Sequence, residues 1–75
     1  IQIYPNPSQD VIMLKNESSI KVDLVKVYDL NGKIVLTDSW DGMSPLNISN
    51  LHTGTYLIQL SSNQTVLHQS MISKR

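Results

Sequence analysis

The chain has 75 residues, with six lysines and arginines against six aspartates and glutamates, 5% aromatic residues and no cysteine. That balance leaves no basic surplus to hold phosphates, so no nucleic-acid partner is expected. Without cysteine there is no disulfide framework and no thiolate metal site, and apolar runs such as Val11 to Leu14 are far too short to span a bilayer. Residues 1–75 make one small domain. A chain of this size buries only about 60–65% of its unfolded surface, which sets a total stability of roughly 3–5 kcal/mol. It starts at Ile1 with neither an initiator methionine nor a signal peptide, so it is expected to be a fragment of a larger protein.

Taken in chain order, the first strand is expected over Gln2–Tyr4 and is stopped by Pro5-Asn6-Pro7. Both prolines lack the ladder donor, and each biases the residue before it toward extended geometry. A second strand follows over Val11–Lys15, with Val11 and Met13 facing the core. The third runs from Ile20 to Asp29, where Ile20, Val22 and Leu24 alternate with Lys21 and Asp23 before the apolar parity slips onto Val25 and Val27. A β-bulge near Leu24–Val25 explains the slip, as does a strand packing the core on one face and a neighbour on the other. Asp29-Leu30-Asn31-Gly32 then turns the chain, as a type I turn from Asp29 or as a type I′ loop at Asn31-Gly32.

Strands continue over Lys33–Thr37, Pro45–Ile48, Thr55–Ser61 and Thr65–Ile72, separated by turn signals at Asp41-Gly42, Thr53-Gly54 and Ser62-Asn63. Short strands recurring about every 8–12 residues, with no helical stripe, point to an all-β antiparallel sandwich or barrel of six or seven strands. The expected core is Val11, Met13, Val22, Val25, Val27, Ile34, Leu46, Ile48, Leu51, Tyr56, Ile58, Leu60 and Leu67.

Little in the chain points to catalysis. His52 and His68 have no partner at H-x-H or H-x-x-x-H spacing, so surface or structural roles are expected and no metal site. No serine stands in a G-x-S-x-G context, and Asp10, Glu17, Asp23, Asp29, Asp38 and Asp41 are scattered over turns and strand faces. No catalytic residue and no cofactor is expected, and the chain is read as not an enzyme. Trp40, the sole tryptophan, has two readings. It is a sugar-stacking platform helped by Tyr4 or Tyr28, or a structural ring that closes one end of the sandwich or covers an edge, and the second is preferred.

Three spaced motifs carry more weight together than any single residue. Tyr4-Pro5-Asn6-Pro7 opens the chain, Asp29-Leu30-Asn31-Gly32-Lys33 follows the third strand, and Leu51-His52-Thr53-Gly54-Thr55-Tyr56 leads into the sixth. The chain finishes on Lys74-Arg75. This order resembles the type A C-terminal sorting domain of the type IX (Por) secretion system of Bacteroidetes, which reads YPNP, then D-x-x-G-[KR], then L-x-x-G-x-Y, then a last strand with a basic end. The match runs from Tyr4 to Arg75, although the last strand here holds only His68 before its basic end.

The resemblance implies a small immunoglobulin-like antiparallel β-sandwich at the C-terminus of a secreted cargo. It also implies a signal that directs the cargo across the outer membrane through contacts with translocon and sortase-like shuttle proteins. On this reading the domain passes through the periplasm to the cell surface or the extracellular space, without stable membrane insertion. A sortase-like peptidase then removes it and anchors the cargo.

Tyr4, Pro5, Asn6, Pro7, Asp29, Gly32, Lys33, Leu51, Gly54 and Tyr56 all have structural explanations as turn formers and core residues. The recognised end is therefore placed at Met71, Ile72, Ser73, Lys74 and Arg75, on a last strand open to strand addition. Such an edge can also let the isolated domain dimerise. The rival reading is a fibronectin-like or carbohydrate-binding accessory module of an extracellular enzyme, working through Trp40 and exposed tyrosines.

Overall fold

The computed structural model describes residues 1–4, 10–16 and 21–75, so Pro5, Asn6, Pro7 and Ile20 lie outside the described residues. The chain forms β1 (Gln2–Tyr4), β2 (Val11–Lys15), β3 (Leu24–Tyr28), β4 (Ile34–Ser39), β5 (Leu46–Asn47), β6 (Gly54–Ser62) and β7 (Thr65–Lys74). These seven strands make two antiparallel sheets, in the orders β1-β2-β5 and β4-β3-β6-β7. The all-β sandwich expected from the turn spacing is the architecture found.

The larger sheet follows from period-two patterning. Val25 and Val27 on β3 pair with Leu60 and Ile58 on β6, and Tyr56 pairs with Ile72 on β7. All six are buried, and paired residues share a face, so one face of the sheet is a continuous apolar layer. From the other sheet, Ile3 pairs with Leu14 and Ile12 with Leu46, and these four close onto the same cluster with Ile48.

Here the expected core needs correcting. Val11 is exposed and Met13 only half-buried, while Ile12 between them is fully buried. Val11-Ile12-Met13-Leu14 is apolar throughout and carries no parity of its own, so pairing with β1 and β5 decides which face it buries. Ile34 stands 47% exposed because it lies opposite Tyr28, on the face turned away from the core. Ile3, Trp40 and Ile72 are buried core residues beyond those expected.

The third strand is also shorter than expected. Lys21 to Asp23 are not in a strand, and the parity change between Val22 and Val25 falls where β3 begins. The Leu24–Val25 pairs run on without interruption, so the bulge is elsewhere. One irregularity leaves Val35 unopposed between Leu36↔Val27 and Ile34↔Tyr28, and the other leaves Leu67 unopposed between β6 and β7.

Turn chemistry fixes these registers. Gly32 N–H donates to the Asp29 carbonyl at 3.0 Å, and Gly32 itself sits at φ 84°. The Asp29 carboxylate accepts from Asn31 N–H and Lys33 N–H, each at 2.9 Å. Asn31 is not in the left-handed region, so the loop is a type I turn closed by a left-handed glycine, which settles the two readings of this hairpin. The β6–β7 hairpin is a two-residue loop with Asn63 at φ 50° and Gln64 at φ 67°, the primed geometry that suits the right-handed twist of its strands. Asp23 pins this loop from a distance: its carboxylate accepts from Asn63 N–H at 2.8 Å, its own N–H donates to the Ser61 carbonyl, and its carbonyl accepts from Trp40 N–H.

Candidate functional site

Three of the candidate carboxylates are spent on backbone. Asp29, Asp23 and Asp41 each accept main-chain N–H groups in a turn or loop, Asp41 from Met43 N–H at 2.8 Å. His52 is exposed after β5, and His68 is half-buried on β7 opposite Leu60. Among the described residues no three His, Cys, Asp or Glu side chains come together as a metal site. Every buried side-chain nitrogen and oxygen among them has a hydrogen-bond partner. Nothing there is held unsatisfied for a reactant.

Trp40 is 5% exposed, and its Nε1–H donates to the Ser44 carbonyl at 2.7 Å. The indole is thus sealed in the core with its polar edge satisfied, and it offers no open face for a sugar to stack on. It is a member of the core cluster.

The family-motif residues divide by role. Tyr4 ends β1 opposite Met13 and is 41% exposed. Asp29 and Gly32 build the β3–β4 turn described above. Leu51 packs against the core at the turn closed by Leu51 N–H to the Ile48 carbonyl. Tyr56 is buried, with its hydroxyl donating to the His52 carbonyl at 2.7 Å, so the phenol ties the loop before β6 to the core. Gly54, expected to take positive φ at a turn, stands at φ 159° as the first residue of β6, directly opposite Lys74.

The structure brings residues of two motifs together. Lys33, Leu51 and Tyr56 line one shallow depression of about 340 Å³ with Ile34, Val35, Asn50 and His52. The last residues divide as well. Met71 is 48% exposed and Arg75 is exposed, while Ile72 is 1% exposed and belongs to the core. Lys74 is 8% exposed with its ammonium donating to the Arg75 carbonyl at 3.0 Å. Its long stem explains how a charged residue can lie so far inside at a strand end. Ile72 is buried because the β6–β7 register sets it opposite Tyr56, a pairing that the period of β7 alone does not encode.

Comparison with known families matches the chain to the secretion system C-terminal sorting domain, over residues 2–74. The chain belongs to this family, whose members are sorting signals for type IX secretion and not catalytic domains. Its route therefore leads to the cell surface or the extracellular space, by interaction with the secretion machinery. Searches of characterised proteins and of solved structures returned no significant match.

Proposed function

We propose that this domain is the export signal of an N-terminal cargo and is read by the secretion machinery at the exposed side chains of the β7 end. A sortase-like peptidase then removes it during anchoring of the cargo at the surface. The family match over nearly the whole chain is the observation that carries this reading. The candidate end narrows on physical grounds. Ile72 and Lys74 are buried in the folded domain, so a partner docking on it meets Met71, the partly exposed Ser73 and Arg75.

Because Ile72 is a core residue, removing residues 72–75 would unfold the domain and test stability instead of recognition. The informative variants are Met71→Asp with Arg75→Glu, both at exposed positions. A reporter fused upstream of Ile1 is expressed in a bacterium with an intact type IX system. Export is expected for the parent domain and is expected to be lost in the double variant while its melting curve is kept. Retention of the parent fusion in the periplasm refutes the sorting reading, and unimpaired export of a folded double variant refutes the recognition end. The mass of the exported reporter shows whether the domain has been removed.

A further inference from the structure

β4 and β7 are the outer strands of the larger sheet. Among the described residues, Ile34–Ser39 hydrogen-bond only across to β3. In an antiparallel pair, alternate residues direct both backbone groups away from the partner strand. Among the described residues β4 therefore presents a row of unused donors and acceptors along its six positions, with no proline to interrupt it. An extended backbone matches such a row at strand spacing.

The sandwich opens beside the start of this edge. The depression has an apolar part, made by Ile34, Val35, Leu51 and Tyr56, and Val35 is the residue left unopposed in the β3–β4 ladder. Lys33 and His52 stand at the same depression, and no carboxylate lines it. The Asp29 carboxylate close by in sequence is already accepting two backbone N–H groups.

We propose that the free edge of β4 is a strand-addition site for an extended segment of a partner protein. That segment pairs antiparallel to β4, sets apolar side chains at alternate positions over the opening, and carries an acidic residue at its C-terminal end, beside Lys33. Main-chain bonds supply the affinity and the depression supplies the side-chain selectivity. This site lies on the opposite edge of the sheet from the β7 end, and its test does not depend on the sorting reading.

The probe is a synthetic peptide with the sequence of Asp23–Asp29, the strand that β4 already accepts on its other side. In antiparallel pairing it carries its Asp29 carboxylate to the Lys33 end. A control peptide has Lys26→Pro, which removes a ladder donor and bends the strand. The full 75-residue chain, labelled with nitrogen-15, is titrated with each. Chemical-shift changes and slowed amide exchange are expected along β4 and at Leu51 and His52 with the first peptide, and none with the second.

Thr37→Pro and Asp38→Pro form a companion pair, because successive amides point to opposite sides of a strand. One of the two removes only an outward donor, keeps its melting curve, and is expected to weaken the peptide roughly tenfold or more. The proposal is overturned by no response to the first peptide, by equal responses to both, or by a response confined to β7. It is equally overturned if the domain alone forms a dimer whose protected amides are those of β4, since a second copy is then the occupant.

Discussion

Replacing Ile72 by alanine tests whether the C-terminal strand holds the fold together as well as ending it. Ile72 is 1% exposed and lies opposite Tyr56 in the β6–β7 ladder. The change removes three carbons, roughly 2.4 kcal/mol of transfer free energy at about 0.8 kcal/mol each. The cavity left behind brings the cost into the range of about 2–5 kcal/mol. A domain of this size has roughly 3–5 kcal/mol in all. Ile72→Ala is therefore expected to remove half or more of the stability, and a urea titration followed by Trp40 fluorescence measures it as a fall in midpoint at constant slope. Arg75→Ala, at an exposed position, serves as the reference and is expected to stay within about 0.5 kcal/mol of the parent. If Ile72→Ala keeps the parent midpoint, β7 does not complete the core, and the distinction drawn between its buried and exposed residues fails.

Three smaller perturbations follow from the turns and the core. Gln64→Gly relieves a left-handed residue in the β6–β7 loop and is expected to stabilise by about 1 kcal/mol, read as a rise in Tm of about 4–8 °C. Gly42→Ala places a side chain at φ 75° and drives its Cβ into Leu14 Cδ2, for an expected loss of about 1–3 kcal/mol in the same melt. Tyr56→Phe keeps the ring in the core but deletes the bond to the His52 carbonyl, and is expected to cost about 0.5–1.5 kcal/mol with earlier amide exchange in residues 52–54.

Legibility in the sequence tracked how strongly each segment constrains its own geometry. β3 and β6 alternate clearly, so Val25, Val27, Tyr56, Ile58 and Leu60 were readable as one face. β2 is apolar at four successive positions, and only its pairing with β1 and β5 shows that Ile12 and Leu14 point inward. The bulges at Val35 and Leu67 arise from how two strands close on each other, which period within a single strand does not encode. Asp23 was read as an outward strand residue, yet it ties the β6–β7 loop to β3 across 40 positions of sequence. For the recognition end, composition marked the final five residues as a unit, whereas the pleat divides them between core and solvent.

The same division bears on whether the Asp29–Gly32 motif of a sorting signal is there for its turn alone. Asp29 and Gly32 are fully accounted for by one turn, since the carboxylate takes two N–H groups and the glycine takes the left-handed position. If their role ends there, any sequence with the same turn preferences should serve. Pro suits the second position of a type I turn and Asn or Asp the first, with Gly retained at the fourth. The triple change Asp29→Asn, Leu30→Pro, Asn31→Asp keeps that chemistry while altering three of the four side chains at this tip. Melting within about 1 kcal/mol of the parent is expected, together with unchanged export of the fused reporter. Lost export from a domain that still melts like the parent would place a partner's contact at the β3–β4 tip and would overturn the structural account of this motif.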